Sequence, residues 1–375
     1  MSGSATARLD PQRLEPVFAQ LEERVQAGHV PGAALAIGDA DGAIRSQTFT
    51  SDAGRSIDRE SLFFLASLTK PIFATAMMQL VEDGRLELHE AVARYLPEFA
   101  GPQKELVTAW HLLTHTSGVA DILPEVIRRE RPSARRMTQL ALSAPLRFEP
   151  GTSWEYCSAS YYVMAELMHR ISGINYRRYV AERLFSPLGM ETTFDPRRKG
   201  RPIVPVEGVG ADNRLKRFLL LRYVVSIAAP GGGLFATLDD LLTFGAALLR
   251  PRGDEQRQVP LRRETIEMMA RDQTRGLRGI VEGVERPVHF ALGWNKPTLM
   301  YSVPGSERVI AHGGATGTSL WIDPAANLVF VYFTNQWNPD RSPQLEALEG
   351  VYRILGAQQA SSGAGSPGHG IAPPR

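Results

Sequence analysis

Leu62-Phe63-Phe64-Leu65-Ala66-Ser67-Leu68-Thr69-Lys70-Pro71-Ile72-Phe73 sets a hydroxyl and an amine into an otherwise apolar run. From Ser67 onward Ile72, Ala76, Met77, Leu80 and Val81 recur at helical spacing, and Gly84 supplies the stop. Pro71 has no N–H to lose, so it suits a first turn and pins the helix start here. Ser67 and Lys70 are three apart, share one helix face and can meet. A hydroxyl at the helix N-terminus faces the positive end of the helix dipole, which favours negative charge on its oxygen. A lysine buried beside it can give up its proton and serve as base. Ser-x-x-Lys is a common spacing and also suits an N-cap serine with a surface lysine. The setting separates the two readings, because Lys70 stands among Phe64, Leu65, Ile72 and Phe73 rather than on a charged face. Lysine is also scarce, with only Lys70, Lys104, Lys199, Lys216 and Lys296 among 42 basic residues.

Upstream, Leu14, Val17, Phe18, Leu21 and Val25 predict an amphipathic helix over 9–27, stopped by Gly28. Ala33 to Ile37 and Ala43-Ile44, joined by Asp39-Ala40-Asp41-Gly42, predict two strands and a tight turn. Downstream, helical patterns run through Trp110–Leu113, Tyr161–Arg170, Tyr176–Leu184 and Leu238–Leu249. Strand-like runs return only late, at Val309-Ile310, Ser319–Ile322 and Leu328–Phe333, with a final helix over Pro343–Leu355. Early and late strands taken separately would make two undersized sheets, so one sheet built from both ends of the chain is expected, with helices inserted between. The expected division is a sheet domain of 8–80 plus 285–357, a mainly helical domain of 81–284, and a disordered Gly/Ser/Ala/Pro-rich tail of 358–375.

Two further stretches bear chemistry. Tyr156-Cys157-Ser158 follows the turn Glu149-Pro150-Gly151 and precedes a helix, so it can present a phenol into a cleft. Beside a lysine that phenol could relay a proton; the alternative is a packed aromatic. His312-Gly313-Gly314-Ala315 lies at a late strand, where paired glycines let a ligand approach the backbone. The N–H of Ala315, with that of Ser67, could then bind an oxyanion; the alternative is a strand-edge turn with a satisfied histidine.

In the order Ser-x-x-Lys, Tyr-x-Ser, His-Gly-Gly, the chain resembles the serine beta-lactamase-like hydrolases. It is most similar to the branch of class C beta-lactamases, D-alanyl-D-alanine carboxypeptidases, D-amino-acid amidases and family VIII esterases. The resemblance covers roughly residues 10–355 and includes Val30-Pro31-Gly32-Ala33, Leu112 to Gly118, Phe185 to Met190 and Gly232 to Thr237. It implies an α+β fold of the beta-lactamase/transpeptidase-like type, an antiparallel sheet flanked by terminal helices with an inserted all-α domain. It assigns Ser67 as acyl-forming nucleophile, Lys70 as its base and Tyr156 as second proton carrier, a coupled pair in which either base can take the first proton. Ala315, Ser158, His312, Gly313 and Gly314 become the oxyanion and substrate-binding set. Two positions depart from the family. Ser158 stands where Asn is usual, and a hydroxyl lacks an amide's paired donor and acceptor at that reach. His312 stands where beta-lactamases carry lysine, and histidine is mostly neutral near pH 7. Both changes lean away from carboxylate-bearing beta-lactams and peptides.

Composition narrows the rest. The chain has 375 residues, 43% hydrophobic and 22% charged, which is globular composition for one large fold or two domains. A formal charge of +2 leaves no footprint for nucleic acid. The single cysteine, Cys157, excludes an internal disulfide and reads as a small buried apolar residue. His111 and His115 are four apart but have no third ligand, so no metal is expected. A Gly-x-Ser-x-Gly elbow, a P-loop and a dinucleotide fingerprint are all missing. The basic stretch Arg197 to Arg201 reads as a solvated loop or a rim of the entrance. No apolar leader precedes residue 10 and no run spans a bilayer, which gives a cytoplasmic expectation. The sequence thus points to a cofactor-free serine hydrolase that cleaves small esters through an acyl-enzyme, as a monomer or homodimer. The alternatives are a D-amino-acid amidase or peptidase, an acyltransferase, a weak beta-lactamase or penicillin binder, and a non-catalytic scaffold.

Overall fold

Residues 33–37 and 328–333 alternate between two apolar layers, so one sheet must be covered on both faces. The computed structural model, which describes residues 8–50, 57–209, 213–250, 260–281 and 283–363, has that sheet. Strands β1 (Gly32–Asp39), β2 (Gly42–Thr50), β7 (Ile310–Gly313), β8 (Ser319–Asp323) and β9 (Leu328–Thr334) pair in the order β2-β1-β9-β8-β7. Every pairing is antiparallel, with Ala34 opposite Phe333 where the two ends of the chain meet. One face carries Ala33, Leu35, Ile37, Phe330 and Tyr332, covered by helices α1 (Glu15–Gln26) and α7 (Ser342–Gly363). Arg24 joins those two helices by an ion pair to Glu346 at 2.6 Å. The other face carries Ala34, Ala36, Val329, Val331 and Phe333 and packs on helix α6 (Leu238–Leu249).

Helix α6 belongs by sequence to the inserted segment 81–284, yet it forms a layer of the sheet. Its start is set by a capping box in which Thr237 Oγ1 accepts from Asp240 N–H and the Asp240 carboxylate accepts from Thr237 N–H, both at 3.1 Å. Helix α2 (Thr69–Glu82) leads from the sheet domain into the insertion, the rest of which includes helices α3 (Ala109–Thr114), α4 (Ala159–Ser172) and α5 (Arg214–Ile227). Small elements also depart from the sequence expectation. Strand β3 (Phe63–Phe64) pairs with β4 (Phe235–Ala236), and β5 (Arg278–Val281) forms a hairpin with β6 (Val284–Pro287) across the boundary drawn at 284/285. Helix α7 continues beyond Gln358 to Gly363, so the tail expected from Gln358 is helical that far, and 364–375 lie outside the described residues.

Candidate active site

Ser67 sits in a 3-10 turn, Ala66–Leu68, that leads directly into α2. Ala66 has φ 45, a left-handed conformation that costs a non-glycine residue about 1–3 kcal/mol unless its surroundings hold it. Here they do, from both sides. Leu65 N–H donates to Leu234 C=O at 2.9 Å, and Leu234 N–H donates to Thr69 Oγ1 at 3.2 Å. From the turn between β7 and β8, Thr318 Oγ1 donates to Leu65 C=O at 2.9 Å and Thr316 Oγ1 donates to Phe64 C=O. Gly314 lies so close that a Cβ there would come within 2.1 Å of the Leu65 carbonyl oxygen. Residues 314–318 thus clasp the backbone just ahead of Ser67, and Ala315 falls inside the clasp.

Lys70 is 1% exposed. Its Nζ lies 3.3 Å from Ser67 Oγ, 3.4 Å from Ser158 Oγ and 2.9 Å from Gly231 C=O. The carbonyl can only accept, so one N–H of the amine is committed to it. The two hydroxyls can accept or donate, so the same geometry suits an ammonium and a neutral amine that receives the Ser67 proton. The Gly231 carbonyl comes this close because residue 231 has no side chain; a Cβ would lie 2.8 Å from Cγ of Tyr161.

Tyr156 presents its ring to the amine, with Lys70 Nζ 4.8 Å from the centroid, and is half-buried. Its ring packs 4.6 Å from that of His115 and 6.4 Å from that of His312. The loop carrying it is fixed by Asp121, whose carboxylate accepts from Ser158 N–H at 3.0 Å and Ala159 N–H at 2.9 Å. That is an acidic cap at the positive end of α4.

His312 is buried, and burial first, then the Lys70 charge, push it down to about 3. It is therefore neutral at neutral pH. Its Nδ1 lies 2.8 Å from Gly313 C=O, an acceptor, which assigns the proton to Nδ1 and leaves Nε2 as a lone pair. That Nε2, together with His115 Nε2 and Tyr161 OH, is buried with no hydrogen-bond partner. In the sequence, His115 stands out as a metal candidate and as part of the matched stretch Leu112 to Gly118. Its Nδ1 accepts from Cys157 N–H at 3.1 Å, its backbone is left-handed at φ 60, and burial holds it far below the ordinary histidine value.

Ser67, Lys70, Tyr156, Ser158 and His312 therefore come together, with Gly313, Gly314 and Ala315 on the adjoining strand end. Gly231, Asp121 and His115 join them; of the three only His115 lies in a matched segment, and Gly231 and Asp121 have no local signal in the sequence. Cys157 is outside the chemistry: burial pushes its thiol up to about 12, and Sγ donates to Val119 C=O. His111 is used as a cap, its Nδ1 accepting from Thr108 N–H at 3.1 Å, and no group of three metal-ligating side chains occurs among the described residues. The basic stretch is held by acids, Arg197 and Arg198 by Asp195, Lys199 by Glu191 and Arg201 by Glu60.

Known proteins resemble this chain over most of its length. Esterase EstB of Burkholderia gladioli is 31% identical over 86% of this chain and 90% of its own length. A beta-lactamase of Mycobacterium bovis is 28% identical, with a TM-score of 0.60, covering 91% of this chain and 98% of that one. A penicillin-binding protein homologue from Caulobacter crescentus superposes with a TM-score of 0.77 at 18% identity, over 94% of this chain and 100% of its own. A family model described as Beta-lactamase matches residues 18–351, the sheet and its insertion together, and the chain belongs to that family.

Proposed function

We propose that the protein is a serine esterase that cleaves small carboxylic esters through an acyl-enzyme at Ser67. The observation that carries this reading is the buried Lys70 amine, 3.3 Å from Ser67 Oγ and anchored on the Gly231 carbonyl. Lys70 takes the proton of Ser67 as Oγ bonds to the ester carbonyl carbon. The negative charge passes to the carbonyl oxygen, where the N–H groups of Ser67 and Ala315 receive it. Tyr156, beside the amine, hands a proton to the departing alkoxide as the ester C–O bond breaks, and Lys70 restores it. Water then adds to the acyl carbon, its proton goes to the same pair, and Oγ leaves with a proton as the carboxylic acid is released.

Two features favour esters over beta-lactams or peptides. His312 is uncharged where a fixed cation would pair with a substrate carboxylate. Ser158, turned toward Lys70, takes the place of a longer amide. The esterase named among the relatives points the same way.

The test is intact-protein mass after a brief p-nitrophenyl ester pulse, run beside a fluorophosphonate and a penicillin. The expected result is a mass gain that maps to Ser67 and decays, with Ser67→Ala losing about 10⁴-fold or more in kcat. A stable adduct with penicillin alone would move the protein to the penicillin-binding side, and an active Ser67→Ala would end the mechanism.

A further inference from the structure

Helix α5 departs from every other long helix of the fold in what it shows to solvent. Leu215, Phe218, Leu219 and Leu220 are 65%, 53%, 50% and 39% exposed. The same helix carries Arg214, Lys216, Arg217 and Arg222 and no acidic residue. Its inner side is accounted for, since Leu221, Val224 and Val225 pack on Leu62, Phe64 and Phe235 beside the catalytic turn. The outer side therefore holds a stripe of large apolar groups among cations, on a helix anchored firmly enough to keep it there. Arg222 lies over the Phe218 ring at 5.6 Å, so charge and apolar surface are interleaved.

The charge decides what this face fits. A second copy docked by the same face would set Arg214 and Arg222 against their own counterparts. A protein partner is a poorer match, because protruding leucines need a preformed groove to receive them. Protruding aliphatic side chains ringed by Lys and Arg are the pattern of a helix lying in a lipid–water interface. We propose that α5 is an interfacial anchor for an anionic lipid surface, its Leu and Phe side chains among the acyl chains and its cations at the lipid phosphates. Among the described residues no helix is long and apolar enough to cross a membrane, and a helix that lies in the interface attaches reversibly. The helix ends at Ile227, and the chain continues through Ala228 to Gly231, the carbonyl that holds Lys70, so the anchor and the site are joined by one short connection at the far end of the helix. Lipophilic esters that concentrate in such a surface are the substrates this arrangement would reach.

The inference stands apart from the esterase reading, because binding is measured without turnover. The full chain is sedimented with sucrose-loaded vesicles of phosphatidylcholine, with and without phosphatidylglycerol, at low and high salt. It is expected to pellet with the phosphatidylglycerol vesicles, to be released by salt, and to stay in solution with phosphatidylcholine alone. Phe218→Ser with Leu219→Ser should weaken binding on the order of a hundredfold, and Arg214→Gln with Arg222→Gln about twentyfold. Both double variants should keep the wild-type rate on a soluble p-nitrophenyl ester, which reports an intact fold. No partition onto phosphatidylglycerol vesicles, or unchanged partition of the Phe218/Leu219 variant, overturns the proposal. So does a wild-type dimer that the Phe218/Leu219 variant converts to monomer, which would show the face covered by a second copy.

Discussion

The centre of the sheet and the turn at Ser67 are both buried, and they are held by opposite means. In β1 and β9 every residue is buried, the side chains are nearly all apolar, and position in the strand alone decides which layer each one enters. At Ser67 the buried groups include the Lys70 amine, the Tyr161 hydroxyl and the His115 and His312 imidazoles, and the backbone at Ala66 and His115 is left-handed. Those features would cost free energy anywhere in a protein. They persist because Leu65, Thr69, Thr316 and Thr318 fix the turn by hydrogen bonds, and because the sheet behind them supplies stability to spare. The contrast teaches that stability and activity should come apart under mutation, site by site.

The widest separation is expected from a pair of substitutions. Lys70→Met keeps the volume and removes the amine; it should lower kcat at least about a thousandfold while leaving the urea midpoint unchanged or higher, since a buried polar group has gone. Phe330→Ala, in the wall between sheet and terminal helices, should cost about 3–5 kcal/mol with kcat per folded molecule little changed. Equal losses of stability from both would break the comparison. Gly314→Ala tests the point where the two regions meet. A Cβ 2.1 Å from the Leu65 oxygen must push the clasp off the turn, so a loss of about a hundredfold in kcat/KM is expected with a loss of stability of about 1–3 kcal/mol. A variant as active as wild type would show that the clasp does not position Ser67.

The smallest effect concerns pH. His312 binds its proton at about 3 when folded, against an ordinary value of 6.5. Between those values the unfolded chain takes up a proton that the folded one refuses, so stability falls as pH drops from about 6.5 to about 3. His115, lowered in the same direction, adds to that slope. Urea midpoints measured across that range should fall less steeply in His312→Gln than in wild type, whereas parallel curves would mean that His312 is not held neutral. The same neutrality means that His312 adds no limb to the kcat/KM profile above pH 5.

The regions differ also in how far they could be read beforehand. Strands β1, β2, β8 and β9 were legible because their apolar residues serve the core, and so was the helix from Ser67, with its periodicity and Pro71. The Ser67–Lys70 pair was legible because three residues on a helix is a local distance. Tyr156, Ser158 and His312 could be named from short motifs, but their meeting with Lys70 depends on contacts across the whole chain. Asp121 and Gly231 carry no local mark at all, since one acts through its charge on a distant helix start and the other through a backbone carbonyl. Helix α5 was missed for an instructive reason. Pattern reading assumes that leucines face inward, and here Leu215, Leu219 and Leu220 face out, which erases the period. The hairpin of β5 and β6 escaped in the same way, with Ile280 and Val284 exposed.

The pairing of β1 with β9 also has a consequence in time. Thr334 Oγ1 donates to the Gly32 carbonyl at 2.8 Å across 302 residues of chain. A ribosome adding ~5–20 residues per second would take about 15–60 s to travel that distance. Throughout it β1 is outside the tunnel with its inner partner unsynthesised, able to pair only with β2. The nascent chain must carry an apolar strand edge until β9 is made, so folding of the sheet waits for that strand.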